Sequence, residues 1–117
     1  LMNTAKAVQV ISGTNTQHRM VEAAIANGTT FTYQVTSDGT QPLKVTIAWT
    51  DRAAPESPYV LDGATKALIN DLDVRLVKDA DSSLTLPWAM GGMASPSAAA
   101  VRADNDRDNV EQVLLNL

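Results

Sequence analysis

Residues 43–51 (LKVTIAWTD) and 67–77 (ALINDLDVRLV), joined by a loop carrying Pro55 and Pro58, decide how the rest of the chain is read. In the first run Val45, Ile47 and Trp49 alternate with Thr46, Ala48 and Thr50, the period-2 signature of a half-buried strand. In the second, Leu72, Val74 and Leu76 alternate with Asp71, Asp73 and Arg75. The first run ends on Asp51, and Asn70-Asp71-Leu72-Asp73 opens the core of the second. Carboxylates and an amide therefore gather where two buried strands end and begin, a supply of hard oxygen ligands of the kind calcium takes. Asp and Asn also stop strands and build turns without any metal.

Working outward, residues 1–11 (LMNTAKAVQVI) form the one helix-like segment, with Leu1, Ala5 and Val8 on one face and Ser12-Gly13 closing it. Residues 19–26 (RMVEAAIA) and 30–36 (TFTYQVT) read as alternating strands around Asn27-Gly28, a tight-turn signal. Phe31, Tyr33 and Val35 share one face of the second. Asp38-Gly39 and residues 79–83 (DADSS) mark further turns, and residues 84–86 suggest a short strand. Residues 88–109, rich in Ala, Gly and Ser, read as a long loop, and residues 110–117 (VEQVLLNL) as a final strand. Short strands, frequent turns and almost no helix indicate an all-β chain, an antiparallel β-sandwich.

With 117 residues the chain fits one domain, able to bury roughly two thirds of its unfolded surface. The net charge of −4, with no Lys/Arg cluster, argues against nucleic acid or an anionic membrane as the main partner. No apolar run reaches membrane-spanning length, so no membrane insertion is expected. The absence of cysteine excludes disulfides and thiolate metal sites. Leu1 opens a piece with neither initiator Met nor a basic leader, as if cut from a larger polypeptide.

The order WTD, a Pro/Ser-rich loop, ALINDLDVRLV, a long loop and then DNVEQVLL resembles the β-sandwich that follows the catalytic domain in a group of subtilisin-like serine proteases. LMNTAKAV resembles the last helix of such a catalytic domain. The chain departs from the family at Asp108-Asn109, where Asn-Asn is usual, and in stopping at Leu117. The resemblance implies a jelly-roll, galactose-binding-like sandwich over residues 14–117, preceded by the tail of a catalytic-domain helix or linker over residues 1–13. It implies a secreted, non-catalytic accessory domain whose partners are the protease domain of the same polypeptide and its protein substrates. It also makes Asp51, Asn70, Asp71, Asp73, Asn109 and Glu111 the candidate calcium ligands. Asp71 and Asp73 share a face if Leu72 points inward, and two such carboxylates repel unless a cation or a base such as Arg75 lies between them.

Three motifs are set aside. Asp104, Asp106 and Asp108 open like an EF-hand loop, but Asn109 stands where Gly is required and Leu115 where the bidentate Glu is required. Residues 92–96 (GMASP) echo the subtilase nucleophile motif with Gly92 in the serine position. His18, the only histidine, has no nucleophile-elbow serine to serve. The chain is therefore expected to be non-catalytic. The alternative is an extracellular carbohydrate- or matrix-binding module, for which Tyr59 and Trp88 are the available loop aromatics. Missing terminal strands would leave an open edge, and with it an expectation of self-association.

Overall fold

The structure, a computed structural model, describes residues 3–13, 18–61, 63, 65–92 and 95–116. The chain divides into two compact units, Leu1–Val35 and Thr36–Leu117.

In the first unit, α1 (Thr4–Ile11) begins because Asn3 caps it: its Oδ1 accepts the Lys6 N–H at 3.0 Å. It ends where the Ser12 and Gly13 N–H groups bond back to Val8 and Val10 and Gly13 takes φ +65°. Helix formation thus starts at Thr4; Leu1, one of the three residues expected on its apolar face, lies outside the described residues. Val8 is exposed, so that face covers nothing among the described residues of the unit. Residues 18–35 run without ladder hydrogen bonds around a turn in which Thr29 donates to the Ala26 carbonyl at 3.1 Å. Phe31 and Tyr33 do share a face, stacked with ring centroids 5.3 Å apart.

Among the described residues the second unit holds six short strands: β1 (Leu43–Ala48), β2 (Leu76–Val77), β3 (Leu84–Thr85), β4 (Trp88–Ala89), β5 (Val101–Arg102) and β6 (Val110–Leu115). They form three separate two-stranded antiparallel sheets, β1 with β6, β2 with β3 and β4 with β5. In the largest, Val45 faces Val113 and Ile47 faces Glu111. Leu43, Val45 and Ile47 are half-buried on the face where Glu111 and Val113 are buried. Among the described residues Val113 is the most enclosed apolar side chain, with no exposed surface.

This architecture corrects the expected fold. Among the described residues there is one helix and a set of small unclosed sheets, a mixed α/β arrangement and not an all-β jelly-roll sandwich. The reason is visible in residues 69–74. Leu72, Val74 and Leu76 do alternate inward, but the Ile69, Asn70 and Val74 N–H groups bond to side-chain carboxylates in place of a neighbouring strand. Only residues 76–77 of that run join a ladder. The expected long loop at residues 88–109 instead carries the β4–β5 pair. The expected strand at residues 110–117 is found over Val110–Leu115, with Leu117 outside the described residues.

Candidate functional site

The six candidate ligands separate into distinct local structures. Asp51 is a hydrogen-bond hub. Its Oδ2 accepts the Ile69 N–H at 2.6 Å, and its Oδ1 accepts the N–H groups of Asn70 at 3.0 Å and Arg52 at 2.8 Å. The Asn70 amide adds a fourth bond at 2.7 Å. These bonds, the Ile69 N–H foremost, hold the Asp51 carboxyl below its ordinary range. The Asn70 carbonyl in turn accepts the Trp49 indole N–H at 3.0 Å. Asn109 is bound to the same strand end: its amide donates to the Trp49 carbonyl at 2.7 Å, and its own carbonyl accepts the Trp49 N–H. Asp71 pairs with Lys66 at 3.0 Å, and Lys66 also reaches Asp106 at 3.5 Å.

Asp73 and Glu111, by contrast, meet. One carboxylate oxygen from each lies, with one from Asp104, in a group whose members are all within 4.8 Å of one another. Each comes from a different part of the unit: Asp73 from the segment before β2, Asp104 from just after β5, Glu111 from the buried face of β6. Glu111 is 1 % exposed. Its Oε2 accepts the Val74 N–H at 2.7 Å and its Oε1 the Asn105 N–H at 3.3 Å. Asn105, itself buried, is held by its amide bonds to Asp108 at 3.0 Å and the Val110 carbonyl at 3.5 Å. That network fixes the turn from which Asp104 projects.

The electrostatics of the group are unbalanced. Asp104 is pushed above the ordinary aspartate range by a hydrogen bond to Asp73, with burial and the Asp73 charge adding to it. Glu111 is pushed up by burial, against the lowering effect of its two backbone donors. Arg75 lies 3.6 Å from Asp73, the ion pair considered from sequence, but both side chains are about half exposed and water weakens it. Beside the carboxylates lies a cleft of about 190 Å³ lined by Asp73, Val74, Arg75, Leu86, Pro87 and Asp104.

Sequence reasoning missed Asp104 as a partner of Asp73 and Glu111. It was weighed only as the first position of an EF-hand-like loop, and the signal that recruits it, the β4–β5 pairing, leaves no periodicity in sequence. Of the GMASP stretch, Met93 and Ala94 lie outside the described residues. Trp88, considered as a stacking platform, has the Arg102 guanidinium 4.0 Å from its ring centroid. Arg102 also donates to the Leu86 carbonyl at 3.0 Å and to the Leu114 carbonyl.

No protein-family profile, no curated protein and no solved structure matches the chain. With the sandwich absent as well, the resemblance to the subtilisin-like proteases does not hold, and the protease and jelly-roll readings drawn from it are withdrawn. The shared motifs WTD, NDLD and DNVE are explained locally instead, as the Asp51–Asn70 hub, the Asp73–Glu111 contact and the Asn109–Trp49 bridge. Among the described residues no helix is long and apolar enough to cross a membrane.

Proposed function

We propose that the chain is a non-catalytic module stabilised by one calcium ion held by Asp73, Asp104 and Glu111. The observation that carries this reading is the convergence of three carboxylate oxygens within 4.8 Å, one of them from the buried Glu111. Oxygens that each lie about 2.4 Å from a common ion are at most about 4.8 Å apart, so the spacing suits calcium. A carboxylate has lone pairs beyond those its hydrogen bonds use, so Glu111 can keep its backbone donors and still ligate. The ion would relieve the like-charge crowding that raises the Asp104 carboxyl. It would also tie together three segments that no common sheet joins.

The non-catalytic part of the reading follows from the side chains at hand. There is no cysteine, and the single histidine, His18, is exposed. Acid–base work would fall to the same carboxylates that the ion occupies. The reading includes an extracellular setting, where modules bind calcium with dissociation constants of about 10⁻⁴–10⁻³ M. Titration calorimetry of the metal-free protein with calcium tests it. One site in that range, lost in a Asp73→Asn, Asp104→Asn double variant, is expected; no binding at millimolar calcium would refute it.

A further inference from the structure

We propose that Asn27-Gly28 is a site of spontaneous covalent modification, converting through a succinimide to aspartate and isoaspartate while the chain is folded. Asn27 and Gly28 are exposed at the middle of the turn that Thr29 closes by donating to the Ala26 carbonyl. Gly28 has φ +74°, and Asn27 is not in the positive-φ region, which makes this a type II turn with glycine third. Among the described residues nothing bonds the Asn27 side-chain amide or the Gly28 N–H. A Cβ built on Gly28 would meet nothing within 4 Å, so no neighbouring group crowds the glycine side of the turn. Rotation of the peptide plane between the two residues brings the Gly28 nitrogen onto the Asn27 Cγ.

The reaction then balances without any co-reactant but water. The Gly28 nitrogen forms a bond to Cγ, the Cγ–Nδ2 bond breaks, and ammonia leaves carrying the proton lost from the Gly28 nitrogen. Water opens the ring at either carbonyl. Attack at Cγ gives aspartate, and attack at the main-chain carbonyl gives isoaspartate, which routes the backbone through Cβ. Each conversion adds one negative charge to a chain whose net charge is −4. Isoaspartate also lengthens the turn between the two extended runs.

The structure separates this site from Asp38-Gly39 and from three other asparagines; of a further Asp-Gly pair, Asp62-Gly63, Asp62 lies outside the described residues. Asp38-Gly39 has the same small successor and Gly39 has φ +76°, but there Asp38 Oδ1 accepts from the Thr40 N–H at 2.9 Å and the Thr40 hydroxyl at 2.8 Å. The Gly39 N–H, the attacking group, donates to Ser37 Oγ at 3.2 Å. The amides of Asn70, Asn105 and Asn109 are each held by hydrogen bonds, and Asp or Val follows them.

The test is incubation of the folded chain in mildly alkaline buffer, followed by peptide mapping and by enzymatic methyl labelling of isoaspartate. Position 27 is expected to gain the mass of an amide-to-acid change and most of the label, while residue 38 stays normal aspartate until the chain is denatured. Asn27→Gln, which leaves the turn glycine in place, is expected to remove the label. Gly28→Ala is expected to slow conversion, since a Cβ on the residue that carries the attacking nitrogen narrows its backbone freedom and is strained at φ +74°. Conversion at Asn27 no faster than at Asn70 or Asn105, or label at residue 38 equal to that at residue 27 in the folded chain, would overturn the assignment.

Discussion

The side chain of Glu111 on β6 accepts the backbone N–H of Val74 at 2.7 Å, across 37 residues of sequence. A buried carboxylate here does what a neighbouring strand does in an ordinary sheet, and it accepts the Asn105 N–H at the same time. Both segments that carry the other two carboxylates of the site are thereby fixed by the third. Removing the acceptor leaves two donors without their partner.

Glu111→Leu is accordingly expected to cost about 1–3 kcal/mol for each backbone N–H left unsatisfied. Glu111→Gln keeps one acceptor oxygen and is expected to recover part of the loss. Urea unfolding of the three proteins checks the order, wild type above Gln above Leu. A Leu variant as stable as wild type would show that the buried carboxylate is not structural.

Val113→Ala should destabilise by about 2 kcal/mol, from ~0.8 kcal/mol per buried methylene plus the cavity left behind. Val110→Ala on the same strand should cost much less, because Val110 is 47 % exposed and Val113 is fully enclosed. Equal losses in chemical denaturation would mean that β6 is not registered against β1 as described.

Asp51→Ala removes the acceptor of the Ile69 and Asn70 N–H groups. The Asp51 carboxyl is held below its ordinary range, so its contribution is present above that range and is lost as pH falls through the lowered folded value. The variant should melt below wild type at neutral pH, with the gap closing in strong acid. Amide exchange at Ile69 and Asn70 should accelerate in the variant. Unchanged exchange at both positions would exclude the hub.

Much of this was legible in the sequence, and the limits are physical. The alternation of Val45, Ile47 and Trp49, and of Leu72, Val74 and Leu76, correctly marked the half-buried side chains. Alternation reports a face, however, and not a hydrogen-bond partner. Residues 69–74 satisfy their backbone through Asp51 and Glu111, which no periodicity announces. The two-residue pairings of β4 with β5 and of β2 with β3 are too short to leave a pattern. Asp73 stood among the candidates because carboxylates flanking apolar runs are conspicuous, and Glu111 because the resemblance to the subtilisin-like proteases implied it. Asp104 needed the β4–β5 pairing to bring it there.

Asp104 carries part of the pH dependence of the site, and Glu111, raised by burial, shifts it in the same direction. The folded pKa of Asp104 is raised, so between the ordinary aspartate range and that raised value the folded state holds a proton that the unfolded state releases. Stability from this group is full below the window and is lost as pH rises through it. Without calcium, Asp104→Asn should therefore stabilise the protein at neutral pH and do nothing in acid. Melting curves of both proteins across pH check this, and a variant gain that grows toward acid would have the wrong sign.

The central claim is that Asp73, Asp104 and Glu111 take calcium, and the most direct measurement is the melting temperature with saturating calcium against chelator. At a hundredfold excess over the dissociation constant, binding contributes about 2.7 kcal/mol. For a chain of 117 residues that corresponds to a rise on the order of ten degrees. The account predicts that rise in wild type and its absence in Asp104→Asn, which is already relieved of the repulsion and lacks a ligand. Coincident melting curves for wild type with calcium and with chelator would contradict it.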